Sequence, residues 1–229
     1  MSTSDLRQNY LSKSATELLD DFGAGQASPG SGSAAALMGL LSAKLITTVC
    51  QVTTRNSEKK ADKFALLERQ VESLVPRLKE LFEKDADEFH EIVEAMKANK
   101  LLVDKDAKSK SRREINDKLE VATDNIFEII DACFELISHG VVAFDLGSKH
   151  VRGDSGAAIS SGIAAVSSGL FVATLNMKTI GNRVYARENI VRCKVYRERL
   201  EELQASAFGR VISLDKEALE FIQPNLPGV

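Results

Sequence analysis

Residues 28–54 read SPGSGSAAALMGLLSAKLITTVCQVTT, a turn of glycine and serine followed by small and apolar residues. Ser33 is a good N-cap residue, so the stretch predicts a helix that starts directly after it. Gly30 and Gly32 allow close backbone approach in the preceding turn. The first amides of such a helix have no intrahelical partner and carry the positive end of the dipole. The turn therefore predicts a place to hold a carboxylate, a phosphate or the polar edge of a heterocycle.

The predicted helix is rich in alanine, glycine and serine, which lets other helices approach it closely. Two alternatives remain open, a packing helix without a ligand and a transmembrane span. The span is an alternative because residues 34–52 contain a single charge, Lys44. Weakly apolar residues and a lysine in mid-span argue against it. We therefore expect a central, buried helix and no membrane partner.

The length, net charge and cysteine content of the sequence limit the kinds of protein it can be. A chain of 229 residues is one large domain or two small ones. Its 30 basic and 33 acidic residues give a net charge of −3, which does not favour a nucleic-acid partner. The polar start of the chain lacks the apolar segment of a signal peptide. Cys50, Cys133 and Cys193 lie far apart within apolar helical patterns, which is typical of buried thiols in a reducing compartment. We expect a cytoplasmic protein.

Helical periodicity dominates, and no alternating strand pattern of convincing length is present. The sequence predicts an all-α fold: a single domain over residues 14–222 of long, mostly antiparallel helices. A polar lead-in, 1–13, precedes it and a tail, 223–229, follows. The capping box from Ser14 to Glu17 opens a short helix that stops at Gly23. Further helices are predicted at 57–97, 114–138, 155–179 and 184–222.

Four breaks are predicted between or within these helices. Pro76 predicts a kink or a break. The charge-dense residues 98–113 lose periodicity and predict a mobile connection. Residues 147–154 look like a loop, with Asp154 able to cap a helix that begins at Ser155. Gly181 and Asn182 then end that helix.

Few residues in the sequence are candidates for catalysis or metal binding. The sequence contains no HExxH, CxxC, P-loop or GxSxG motif, so we expect no metal site and no thiol or serine mechanism. Asp85 lies one helical turn before Phe89 and on the same face, whereas Asp87 is rotated off it. Desolvation on that apolar face would raise the pKa of Asp85 and suit it to general acid–base work. The alternative is a half-exposed acid beside a core phenylalanine.

The glycine turn, read as SPGSGSAAAL, resembles the PGGGSxAAL signature of the cyclodeaminase/cyclohydrolase family, which includes the cyclodeaminase domain of formiminotransferase-cyclodeaminase. Asp85-x-x-x-Phe89, followed by Ala95-Met96-Lys97, is similar to the family's Asp-x-x-x-Phe helix that ends in Ala-x-Lys. Gly147 with Asp154 resembles its Gly-Asn-x-x-x-x-Ser-Asp loop, and Leu175-Asn176-Met177 resembles its Ile-Asn-Leu. The resemblance runs from about Ser14 to Ile180 in order and spacing.

The resemblance implies an all-helical homodimer with a folate site in a cleft near the subunit boundary. It implies a cyclodeaminase or cyclohydrolase that acts on the one-carbon unit at N5 and N10 of tetrahydrofolate, with no cofactor beyond that substrate. Asp85 matches the family's acidic position and is the expected catalytic residue. The residues expected to bind the substrate are Gly30, Ser31, Gly32, Ser33, Lys97, Asp154 and Asn176.

Four positions depart from the family pattern. Ser31 replaces the middle glycine, Ser148 replaces the asparagine after Gly147, and Val172 replaces an asparagine. Asn125 lies in a segment, Ala122 to Asn125, where the family usually has Val-Pro. Ser31 and Val172 alter expected cleft positions and motivate an alternative hypothesis, a diverged, non-catalytic member that serves as a small-molecule-binding or assembly module.

Overall fold

The computed structural model of the chain describes residues 9–222. Residues 1–8 of the predicted lead-in and the tail at 223–229 lie outside the described residues. Within residues 9–222 there is no strand, so the predicted all-α fold is confirmed. Six α-helices, together with short 3₁₀ turns at Tyr10–Ser12 and Lys149–Val151, make up the described fold: α1 Ala15–Gly23, α2 Ser31–Asn56, α3 Glu58–Leu101, α4 Lys105–Leu146, α5 Arg152–Ile180 and α6 Val184–Ile222.

Local signals at two helix ends act as predicted. The Ser14 side chain accepts from the Glu17 N–H, and the Glu17 carboxylate accepts from the Ser14 N–H, so the capping box opens α1. Gly181 follows α5 with φ of +80°, a backbone angle that favours glycine. The predicted end of α5 is therefore confirmed.

The predicted role of Ser33 as an N-cap is wrong. Helix α2 begins two residues earlier, at Ser31, and Gly30 is its N-cap without a side-chain hydrogen bond. Ser33 already lies inside the first turn, and the Ala34 N–H donates to the Gly30 carbonyl at 2.9 Å. The glycine-rich turn is thus shorter than the sequence suggests.

The predicted connection at 98–113 is also wrong, because most of it is helical. Helix α3 continues to Leu101, and α4 begins at Lys105 after Asp104, whose carboxylate accepts from the Ala107 N–H at 2.7 Å. Lysine, arginine and alanine favour helix, so charge density alone does not indicate a loop here. Helix α4 then runs without interruption to Leu146.

Pro76 does not break α3. Val75 and Leu78 beside it are buried at 4% and 0% exposure. Burial of this segment on both sides of the proline offsets the loss of one backbone hydrogen bond.

Asp154 does not cap α5. The helix begins at Arg152, directly after the 3₁₀ turn, and Val151 is its N-cap without a side-chain hydrogen bond. Asp154 lies in the first turn, where a negative charge still interacts favourably with the helix dipole.

Helix α2 occupies the centre of the bundle and packs against α3, α4 and α5. Glycines permit these close approaches: a Cβ on Gly39 would lie 2.8 Å from Cys133 Sγ, and one on Gly169 would lie 2.6 Å from Ile130 Cγ1. Consecutive long helices run antiparallel. The predicted central position of α2 is confirmed.

Helix α5 is buried on only part of its circumference. It packs against α2, α4 and α6, yet Phe171 and Leu175 are 71% and 59% exposed. By length and hydropathy alone, α2 and α5 are the two described helices that could cross a membrane. Because α2 lies at the centre of the bundle, its apolar composition is explained by helix packing.

Helix α6 closes the outer side of the bundle. Arg192 on α6 lies over the Phe127 ring of α4, 4.2 Å from its centroid, and pairs with Asp131 at 2.8 Å. This contact fixes α6 against α4 through both charge and aromatic packing.

Candidate active site

The first turn of α2 meets the middle of α3 at Ser33 and Asp85. The Ser33 hydroxyl donates to Asp85 Oδ2 at 2.7 Å, and its oxygen also lies 3.3 Å from the Phe82 carbonyl oxygen. A hydroxyl has one hydrogen, and the shorter, charge-assisted bond to the carboxylate is the stronger of the two. The Asp85 carboxylate therefore accepts a hydrogen bond from the first turn of α2, whose N-cap residue, Gly30, makes no side-chain hydrogen bond.

Asp85 is buried, with 8% exposure. Burial raises the pKa of this carboxyl above its usual value, while the Ser33 hydroxyl and the Ser33 N–H act in the opposite direction. The prediction that Asp85 is a desolvated acid with a raised pKa is confirmed. A carboxyl with a raised pKa can take up and release protons closer to neutral pH than an exposed aspartate can.

Gly32 makes room for this carboxyl. A Cβ on Gly32 would lie 2.1 Å from Asp85 Oδ1 and 2.6 Å from Ile126 Cδ1. Gly30 is less crowded, since its Cβ would lie 3.3 Å from the Ala27 carbonyl and 3.7 Å from the Phe89 ring. The glycine at position 32 is thus required by the acid from α3.

A second polar group lies beside Asp85, and sequence reasoning missed it. Asn125 on α4, 4% exposed, donates through Nδ2 to Glu88 Oε2 at 2.7 Å and accepts through Oδ1 from Lys84 Nζ at 3.0 Å. The available signal was an asparagine next to Ile126 in an apolar helical pattern, where a buried polar side chain must find partners. In the sequence, Asn125 stands out only as a departure from the family pattern.

The structure brings the glycine turn and Asp85 together, with Gly30, Gly32 and Ser33 in contact with α3 residues. Ser31 is the exposed first residue of α2. Of the remaining residues of the predicted site, Lys97 and Asp154 lie further away.

Lys97 lies away from Asp85. Lys97 follows Asp85 by twelve residues on α3, which is about 18 Å along the helix. Its side chain is 66% exposed and pairs with Glu94 at 2.7 Å. Asn176 is buried on α5, about 10 Å beyond Gly169, the glycine that faces Ile126.

Asp154 lies near the opposite end of the bundle. The Ser42 hydroxyl donates to the Ala158 carbonyl at 2.8 Å, which fixes the register of the antiparallel helices α2 and α5. From this register, Asp154 lies roughly 20 Å along the bundle from Ser33. Within one protomer, Asp154 therefore does not lie opposite the start of α2.

Within the described residues, no group of three or more His, Cys, Asp and Glu side chains is arranged to hold a metal ion. The three cysteines are buried, as predicted.

A family model described as formiminotransferase-cyclodeaminase matches residues 14–195, which include the glycine turn, Asp85 and Asn125. The chain belongs to the formiminotransferase-cyclodeaminase family. The match begins at the cap of α1 and ends within α6. The proposed resemblance is confirmed by it.

Two relatives of this formiminotransferase-cyclodeaminase family member are informative. The methenyltetrahydrofolate cyclohydrolase of Methylorubrum extorquens is 27% identical over 175 residues, covering 75% of this chain and 83% of that protein. The crystal structure of formiminotetrahydrofolate cyclodeaminase from Thermotoga maritima has a TM-score of 0.74 and 18% identity. It covers 88% of this chain and 97% of that one. At this identity the second likeness concerns the fold.

Proposed function

We propose that the protein is a folate one-carbon enzyme that acts at the N5/N10 bridge of a tetrahydrofolate derivative. The observation that supports this most is Asp85, a buried carboxyl with a raised pKa, placed against the first turn of α2. The turn supplies a partly positive helix end beside an acid–base group. Such a pair suits a substrate that combines a polar heterocycle with a carbon centre requiring proton transfer.

Methenyltetrahydrofolate cyclohydrolase is the first candidate activity, supported by the relative in Methylorubrum extorquens. In that reaction water adds to the methenyl carbon, the bond from that carbon to N5 breaks, and N5 gains a proton. The product is 10-formyltetrahydrofolate, and one proton is released in total. Asp85 can accept a proton from the attacking water.

Formiminotetrahydrofolate cyclodeaminase is the second candidate, favoured by the fold shared with the Thermotoga maritima enzyme. Here N10 attacks the formimino carbon and loses its proton. The formimino nitrogen gains protons and leaves as ammonia, which gives 5,10-methenyltetrahydrofolate. Both candidates need one group that accepts a proton and one that supplies a proton. Neither requires a cofactor beyond the tetrahydrofolate substrate.

For substrate binding we infer two groups of residues. Gly30, Ser31, Gly32 and Ser33 present the start of α2 to the polar edge of the pterin. Lys97, Asp154 and Asn176 are assigned to the substrate by the family resemblance alone.

A homodimer is part of this proposal. Phe171 and Leu175, one helical turn apart on α5, are exposed at 71% and 59%. A second copy that covers this surface would remove apolar area from water. We expect the dimer to reside in the cytoplasm.

The test is to incubate the purified protein with 5-formiminotetrahydrofolate and, separately, with 5,10-methenyltetrahydrofolate. Methenyl absorbance rises in the first case for a cyclodeaminase and falls in the second for a cyclohydrolase. Binding of folate without turnover, measured as a rise in melting temperature without product, would support the non-catalytic alternative and contradict this proposal.

A further inference from the structure

Three polar side chains beside Asp85 form one connected group across the α3–α4 interface. Asn125 Nδ2 donates to Glu88 Oε2, and Asn125 Oδ1 accepts from Lys84 Nζ. Lys84 Nζ also lies 3.8 Å from Glu88 Oε1. The amide can adopt only this orientation, since the reverse would place its NH₂ group against the ammonium and its oxygen against the carboxylate. Asn125 therefore holds Glu88 in one position.

Glu88 follows Asp85 by one helical turn and lies on the same side of α3. Its side chain is 26% exposed, whereas Asp85 is 8% exposed. Glu88 borders a cavity of about 310 Å³ between α3 and α4, and Asp85 does not. The two carboxyls are thus one turn apart, one facing α2 and the other facing an open groove.

The surroundings of Glu88 are charged. Burial raises its pKa, the ammonium of Lys84 and the hydrogen bond from Asn125 lower it, and the charge of Asp85 raises it again. Glu91 adds a further negative charge that raises the pKa. On the α4 side the groove is lined by Asp117 and Lys118, and Lys118 pairs with Glu91 at 2.6 Å.

We propose that Glu88 is the second acid–base residue of the Asp85 site and that Asn125 is its positioning residue. This inference rests on the proposed function. The reaction needs a base for the attacking water, or for N10, and an acid for the departing nitrogen at the same time. With two carboxyls in opposite protonation states, the base gains one proton and the acid loses one. The groove gives Glu88 a path for proton exchange with solvent.

The experiment compares Glu88→Gln with the matched control Asp87→Asn on the same helix. Both substitutions replace a carboxylate with an amide of the same shape, and Asp87 is rotated off the Asp85 face. Glu88→Gln should lower kcat/KM by about a hundredfold or more and remove one limb of the pH–rate profile. Asp87→Asn should change neither. If the parent is active and Glu88→Gln turns over at the same rate, the role of Glu88 is overturned while the proposed function stands.

Asn125→Ala tests positioning. Loss of the amide donor removes a bond that favours the charged carboxylate, so the Glu88 limb of the pH–rate profile should move to higher pH. A lower rate with an unmoved limb would show that Asn125 acts only through stability, which a thermal melt of the same protein measures. A parent that converts neither substrate would overturn both the proposed function and this inference.

A titration without substrate tests the pair directly. In protein labelled with ¹³C at the glutamate carboxyl carbons, the signal missing from Glu88→Gln identifies Glu88. Asp85→Asn removes the neighbouring charge, so the titration midpoint of Glu88 should fall. An unchanged midpoint would show that the two carboxyls do not interact electrostatically, and it would overturn the proposal that they act as a pair.

Discussion

Ser33 on α2 and Asp85 on α3 are joined by a hydrogen bond of 2.7 Å, although 52 residues separate them in the chain. This bond ties the start of the small-residue helix to the one buried carboxyl that the family pattern marks. It gives Asp85 two roles, support for the first turn of α2 and proton transfer. The two roles are separable by experiment.

Asp85→Asn should lower kcat/KM by about a hundredfold or more, because an amide cannot transfer the proton. The amide oxygen still accepts from Ser33, so the protein should remain folded. Steady-state kinetics of either folate reaction, with circular dichroism of the same sample, checks both statements. Parent-like turnover would remove Asp85 from the catalytic site.

The same substitution should change how stability depends on pH. The pKa of Asp85 is raised in the folded protein, so folding favours its protonated form. That contribution is fully present below the unfolded pKa of about 3.9 and is lost as pH rises through the folded pKa. Melting temperatures from pH 4 upward, measured at about 0.5-unit steps, should therefore fall less steeply for Asp85→Asn than for the parent. Parallel curves would contradict the raised pKa.

Gly32→Ala should destabilise the protein by about 1–3 kcal/mol, because the new methyl group would occupy space held by Asp85 and Ile126. Gly156→Ala is the control. It lies within α5 with no neighbouring atom within 4 Å of an added Cβ, so it should be neutral or stabilising by up to about 1 kcal/mol. Urea unfolding of both variants measures the difference. Equal stability of the two would contradict the tight fit at Gly32.

Phe171→Asp should dissociate the proposed dimer without unfolding the protomer, since Phe171 is 71% exposed within one chain. Sedimentation velocity should show a dimer for the parent and a monomer for the variant. Phe221→Asp, at the far end of α6 and 89% exposed, should leave the dimer intact. A monomeric parent would refute the dimer.

The cysteines should be inert in the folded protein. Burial raises the pKa of Cys50 and Cys133 to about 12, and it raises the pKa of Cys193 as well. At pH 8 a disulfide reagent such as dithionitrobenzoate should react slowly with native protein and rapidly with three thiols in denaturant. One fast thiol in the native protein would indicate an accessible cysteine.

Features set by neighbouring residues could be predicted from the sequence. The Ser14–Glu17 capping box and the end at Gly181 depend on backbone angles and bonds within a few residues. The signals for both helix ends are local, so no knowledge of the tertiary packing was needed for them. The position of Asp85 on the apolar face of a long helix predicted either a desolvated or a half-exposed acid, and the structure shows that it is buried.

Features set by distant residues could not be predicted. Ser33 looked like an N-cap because serine commonly takes that role, and only the position of α3 shows that its hydroxyl binds Asp85 instead. Asn125 pairs with Lys84 and Glu88 across two helices, which no spacing within α4 reveals. The largely helical structure of residues 98–113 could not be predicted for a different reason: a dense run of charges is compatible with either a helix or a loop.

The crowding at Gly32 has a consequence for how the sequence can change over time. Position 32 and the acid at position 85 fill one volume between them, so a larger residue at the first demands a shorter one at the second. Among relatives the two positions should therefore vary jointly, and a relative with a side chain at position 32 should have moved its acid to another helix face.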